Sequence, residues 1–280
     1  MSYKSGMDAN DETGPGTTAA QLRLAVTFLT RLPVARDPDI DDEPDTAPPS
    51  LAAAMWLFPL VGFGIGGAGA LVLGALAWGG VPAPVAATLA VGVIIWFTGA
   101  LHEDGLSDVA DGFGGGGDRD RKLEIMRDSR LGAYGTVTLA VVIVAKIAAL
   151  ATIAAHDVGA AAGALIASAV WSRALIAPTI RWLEPAREDG LGADTGAPSE
   201  GDSLKGLALA VLLVLLVLAT PAGWGVITVL MAGGLGALAV GLIALRQIGG
   251  YTGDVLGAGQ AIAETAALVA ASAIISGSMS

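Results

Sequence analysis

The stretch that decides the fold is residues 51–101, LAAAMWLFPLVGFGIGGAGALVLGALAWGGVPAPVAATLAVGVIIWFTGAL, which contains no charged residue. Fifty-one apolar residues exceed what one helix needs to cross a bilayer, and Gly79-Gly80-Val81-Pro82-Ala83-Pro84 marks a tight turn within them. Two spans result, at about 51–78 and 83–101. Pro59 and the glycines from Gly62 to Gly69 kink the first and let neighbouring helices approach closely.

The rest of the chain repeats this pattern. Residues 131–155 and 158–183 form a second apolar pair turning at His156-Asp157. Residues 206–221 and 223–245 form a third, broken near Thr220-Pro221-Ala222-Gly223, and 255–276 a last span with Glu264 inside it. Seven spans are therefore expected in an all-α, polytopic integral membrane protein with a single membrane-embedded domain over 17–280. Before the spans, Thr17–Leu32 reads as an interfacial helix with a Thr cap, with Leu22, Ala25, Val26, Leu29 and Leu32 on one face. Residues 1–16 read as a disordered acidic tail without the basic and apolar regions of a cleavable signal.

Composition agrees. Of 280 residues, 54% are hydrophobic and 15% charged, and the mean hydropathy is +0.67, beyond the range of soluble domains. With no cysteine there are no disulfides, thiolate metal sites or Cys nucleophile, and two histidines cannot build a multi-His metal site. A net charge of −11 argues against nucleic-acid binding, and the Asp-rich balance looks like that of halophile proteins. Thirteen of the 15 bases fall on one side of the expected spans, and the turns near 80, 157 and 222 hold none. The positive-inside rule puts the N-terminus and the loop after residue 101 in the cytoplasm of a multi-pass cell-membrane protein.

That loop is the candidate site. LHEDGLSDVADGFGGGGDRDRKLEIMRDSRLGAY (101–134) carries eight acids and five bases. Asp104, Asp108 and Asp111 are spaced i, i+4, i+7, one stripe of a helix. Glu124 and Asp128 would share a face of a second helix, folded back through a hinge at Gly114–Gly117. Like charges stacked on a helix repel, so a hard cation is expected among them, Mg²⁺ or alternatively Mn²⁺. Asp104, Asp108 and Asp111 lead as ligands, followed by Glu124 and Asp128, while Asp118 and Asp120 solvate the loop. Arg127 and Arg130, placed on one helix face, with Arg121 and Lys122, would hold phosphate oxygens; each could equally pair with a neighbouring acid.

Lys146, Arg173 and Glu264 are charges inside apolar spans, and either base could pair with the acid or face a polar pathway. Asp254, after Gly253 in Gly249-Gly250-Tyr251-Thr252-Gly253-Asp254, caps the final span or joins the acidic site as a ligand. His102 reads as a hydrogen-bonded interfacial histidine.

Five segments together resemble the cobalamin synthase (adenosylcobinamide-GDP ribazoletransferase) family: FLTRLPV (28–34), AAAMWLFPLVG (52–62), GALHEDGLSDVADGFGG (99–115), LEIMRDSRLGAYG (123–135) and GGYTGDVLGA (249–258). They run in family order over most of the chain. The acidic tail departs from the family's short leader, and Glu103 falls where the motif is tolerant, so it carries no role from the resemblance. The resemblance implies a Mg²⁺-dependent membrane enzyme that joins adenosylcobinamide-GDP to α-ribazole or its 5′-phosphate and releases GMP. On that basis Asp111 or Asp128 would act as general base and Asp254 would complete the site. Other corrin-pathway enzymes or a second copy could bind the same chain.

Two other readings use the same residues. Asp108-x-x-Asp111-Gly112 opens like the motif of CDP-alcohol phosphotransferases, but Phe113-Gly114-Gly115 replaces the Ala-Arg that should follow. An ion or proton transporter would use Lys146, Arg173 and Glu264, but its charges belong near the bilayer midplane and most acids here lie at the edge.

Overall fold

The computed structural model describes residues 16–34, 49–128, 130–187 and 196–279. The expected acidic tail, nearly all of the acidic loop at 36–49 and part of the loop at 184–205 lie outside the described residues. All the named elements are helices, apart from one isolated bridge between Pro185 and Tyr251.

Helix α1, Thr18–Leu29, starts where the sequence put it: the Thr17 hydroxyl accepts from the Ala20 amide. Ala25 and Leu29 are buried against the short helical turns of 51–57. Helix α2, Phe58–Trp78, continues from those turns, with Pro59 in its first turn, where no amide donor is lost. It packs most extensively on α7, Val158–Ala174. Glycines make that approach possible: a Cβ on Gly62 would lie 2.5 Å from the Ala169 carbonyl oxygen, and one on Gly66 2.7 Å from the Ile166 Cα.

Helix α3, Ala83–Thr98, stops three residues short of the expected boundary. Gly99 and Ala100 both take left-handed backbone (φ 65° and 58°), and the chain turns by 88° into α4, Leu101–Gly115. Hydropathy could not show this turn, because the first charge comes only at Glu103. The Gly114–Gly117 hinge is shorter than expected, since Gly114 and Gly115 complete α4.

Helix α5, Arg119–Ile125, is capped by Asp118, whose carboxylate accepts from the Arg121 amide. It ends before Asp128. Glu124 and Asp128 therefore do not share a helix face, nor do Arg127 and Arg130, because the chain turns at Met126-Arg127 instead.

The remaining helices are α6 (Ala133–Ala154), α7, α8 (Ile176–Trp182), α9 (Glu200–Ala222), α10 (Val226–Ile248) and α11 (Gly253–Met279). The expected span at 158–183 is present as one apolar stretch, Val158–Trp182, with a single turn residue, Leu175, between α7 and α8. Helix α9 extends beyond the expected 206–221 at both ends, and α10 is shifted three residues later than the expected 223–245.

Among the described residues, five helical stretches are long and apolar enough to cross a membrane, and six if the bent α3–α4 pair counts. One of them, Glu200–Ile248, has 49 residues and would be about 73 Å long if straight, against a hydrocarbon core of about 30 Å. It folds back at Gly223 (φ 52°). Its start meets Arg181 and its end receives a hydrogen bond from Arg119, which also binds Ala186.

Candidate active site

The stripe of acids forms as the spacing predicts. Helix α4 buries Leu106 and Val109 and turns Asp104, Asp108 and Asp111 away from them. The three carboxylates then find different surroundings.

Asp111 sits at the N-terminus of α6. Its Oδ2 accepts from the Gly132 amide at 2.8 Å and its Oδ1 from Gly135 at 2.9 Å. This is a helix-terminal anion site filled by a carboxylate of the same chain. A Cβ at either glycine would lie 2.4 Å from an Asp111 oxygen, which accounts for both glycines in LGAYG.

Asp104 is exposed, and it shares the lining of a cavity of about 260 Å³ with Asp254. The two acids meet because α4 and α11 touch at backbone distance through Gly105 and Asp254. Asp254 is held from two directions. The Thr252 hydroxyl donates to its Oδ2 at 3.1 Å, and Arg187 reaches the same oxygen at 3.1 Å. Arg187 is delivered by a short backbone pairing: the Tyr251 amide donates to Glu184 and the Ala186 amide to Tyr251. The Nε of Arg187 is buried with no acceptor among the described residues.

Asp108 is half-buried between these groups. Burial, then the negative charges of Asp104, Asp254 and Asp111, push its carboxyl up to about 7, with a hydrogen bond from Ser107 opposing.

The second acidic group turns elsewhere. Glu124 pairs with Arg121 at 2.6 Å, both exposed. Asp128 binds the Arg130 guanidinium through Nε and Nη2, and these bonds hold its carboxyl down at about 2. Lys122 donates to Gln247 on α10. Arg127 is exposed. Arg121, Lys122 and Arg130, expected as phosphate ligands, are thus bound to partners within the protein. Among the described residues, no three His, Asp or Glu side chains stand close enough to hold a metal ion as they are placed.

Beneath the stripe lies a buried ionic network. Lys146 on α6 pairs with Glu103 on α4 (3.4 Å) and Glu264 on α11 (3.7 Å), and Arg173 on α7 reaches Glu264 at 3.5 Å. Gln260 bridges Ser172 and Glu264. The pairing of Lys146 and Arg173 with Glu264 is the structural alternative that the sequence offered. Glu103 was missed, yet two bases against one acid within the spans had left a positive charge unmatched. Arg187 and Arg119 were missed as well; in sequence they are two bases among many in polar loops.

Over residues 21–272 the chain matches the family model described as cobalamin-5-phosphate synthase. It is 42% identical over 253 residues to a protein of Mesorhizobium japonicum, covering 90% of this chain and 93% of that one. It is 44% identical over 254 residues to one of Azorhizobium caulinodans (89% and 94%). A protein of Bradyrhizobium diazoefficiens is 40% identical over 264 residues (92% and 97%). Each of the three is named adenosylcobinamide-GDP ribazoletransferase. No solved structure matches the chain.

Proposed function

The chain belongs to the cobalamin-5-phosphate synthase family, and on that premise we propose that it performs the transfer for which its relatives are named. The adenosylcobinamide-phosphate group passes from adenosylcobinamide-GDP to α-ribazole or its 5′-phosphate. The acceptor hydroxyl oxygen bonds to the phosphorus on the cobinamide side, the P–O bond to the bridging oxygen breaks, and GMP leaves with that oxygen. The hydroxyl proton goes to a carboxylate.

The observation that supports this reading is the α4–α11 contact: Asp104 and Asp254 line one cavity, and Asp108 lies near enough to feel the charge of both. Of the acids in the site, Asp108 suits proton transfer, because a carboxyl near 7 is basic enough to take a proton and ionised enough to be free for it. Asp111 and Asp128 suit it less: one is held by two amides and the other by Arg130. Arg187, paired with Asp254, would bring positive charge to a phosphate bound beside that acid.

The donor set suits Mg²⁺, being all oxygen and mutually repelling, and Asp104 and Asp254 would be the residues to hold it. Bound there, the ion would offset diphosphate charge and steady the leaving phosphate. The site faces the cytoplasm of the cell membrane, since the bases cluster on its side and the opposite turns lack them.

The test is release of GMP from adenosylcobinamide-GDP by the purified protein in lipid vesicles. Release that requires both acceptor and Mg²⁺ supports the reading. Release without acceptor would make the protein a diphosphate hydrolase, and no release from folded protein would reject the reading.

A further inference from the structure

Beside Asp104 and Asp254, the 260 Å³ cavity is apolar: Phe28 of α1, Met55 and Phe58 of the 51–58 turn, and Ile176 and Ile180 of α8 form its wall. Phe28 and Phe58 are stacked, with ring centroids 5.9 Å apart and planes 13° from parallel. A second cavity adjoins it, sharing Phe28, Leu101 and Asp104 as common wall, and is polar, lined also by Thr30, Thr98 and Arg31. The Arg31 guanidinium is exposed and is bound to no acid or carbonyl among the described residues. Its position is fixed by the backbone. The Arg31 amide donates to Phe97 at 2.9 Å, and the side chain lies across Gly99, where a Cβ would come within 2.0 Å of Nε. No other residue type could sit at 99 without moving Arg31.

The order along these joined cavities is aromatic wall, carboxylates, cation. Resting on the functional reading above, we propose that they bind the acceptor: its flat apolar base against Phe28, Ile176 and Ile180, its sugar hydroxyls at Asp104, and a 5′-phosphate, when present, at Arg31. The size agrees, because 260 Å³ lies just below the range of small-molecule pockets and admits a bicyclic base but not a corrin ring. A ring face against Phe28, which Phe58 backs, gains offset-stacking contact, and a hydroxyl donates to a carboxylate. Arg31 is the group that distinguishes the nucleoside from its phosphate. The cavities therefore make the acceptor site separate from the diphosphate, which the Arg187 side of Asp254 faces.

The test uses vesicle-reconstituted full-length protein and GMP release, with α-ribazole and α-ribazole 5′-phosphate as alternative acceptors. Arg31→Gln should lower the preference for the phosphate, the ratio of the two kcat/KM values, by at least about tenfold, the loss of one charge-assisted contact. Ile180→Trp, which fills the apolar end, should raise KM for both acceptors about tenfold or more and move the KM for adenosylcobinamide-GDP far less. If Ile180→Trp does not fold, Phe28→Ala at the half-buried rim reads the same contact by the same KM split. An unchanged phosphate preference in Arg31→Gln, or acceptor and donor KM values moving together in the cavity variants, would overturn the acceptor site, as would a cavity that holds lipid and leaves both KM values unmoved. No release by the unsubstituted protein would instead overturn the functional reading on which the site rests.

Discussion

Gly105 of α4 rests against the backbone of Asp254 of α11, so closely that a Cβ at 105 would stand 2.8 Å from the Asp254 carbonyl oxygen and 3.0 Å from its Cα. Backbone cannot yield as a flexible side chain can. Gly105→Ala must therefore separate the helices that carry Asp104, Asp108 and Asp254. Displacing reacting groups by about 1 Å costs on the order of 10²-fold, and turnover of Gly105→Ala should fall by about that factor. Gly67→Ala is the control: its Cβ meets nothing within 4 Å, and turnover should stay within about twofold. Steady-state GMP release in both variants checks the prediction.

Arg187 and Asp254 form a partly buried pair at 3.1 Å. Arg187→Gln removes a charge-assisted contact of about 1.5–3 kcal/mol, so kcat/KM should fall about ten- to hundredfold. It also removes a positive charge from beside the acids, so half-saturation by Mg²⁺ should come at lower concentration. A Mg²⁺ titration of the variant reads both effects.

Among the described residues, removing Glu264 leaves Lys146 with Glu103 as its only acid and Arg173 with none at contact distance. Breaking a buried pair in this way costs about 3–5 kcal/mol, and Glu264→Ala should lose most of its folded yield in detergent. The double variant Glu103→Leu/Lys146→Met removes one charge of each sign. It should unfold closer to the unsubstituted protein than Lys146→Met alone, a coupling that thermal unfolding of the three proteins measures.

Asp108 sets the pH dependence. Its carboxyl is pushed up to about 7, so below that pH it is protonated and can neither accept a proton nor attract a cation. With Mg²⁺ limiting, kcat/KM should fall as pH drops through about 7 and level off above it. Saturating Mg²⁺ places positive charge beside the carboxylate, favours its ionised form and should move the acid limb to lower pH. Chelation of Mg²⁺ should abolish release at any pH.

The parts of the fold that were legible in sequence are those that follow from hydropathy and helical period. The uncharged stretch over 51–101, the turns at glycine and proline, and the Asp104–Asp108–Asp111 stripe all needed only local residues. The left-handed turn at Gly99-Ala100 was hidden because apolar residues continue through it. Asp128 looked like a partner of Glu124 because four-residue spacing implies a shared face only where a helix persists, and α5 ends at Ile125. Asp111 looked like a ligand, and its two amide partners lie 21 and 24 residues away, across the turn into α6. Arg187 reaches Asp254 over 67 residues, a contact that no local pattern encodes.

The most direct test of the α4–α11 site is acceptor-dependent GMP release by Asp108→Asn, in protein shown to be folded by its elution and helical content. Asparagine keeps the shape and loses the charge and the basicity. Loss of a general base costs on the order of 10²–10⁴-fold, and the account predicts a fall in that range at saturating Mg²⁺. Turnover equal to that of the unsubstituted protein would contradict it and take the chemistry away from these carboxylates.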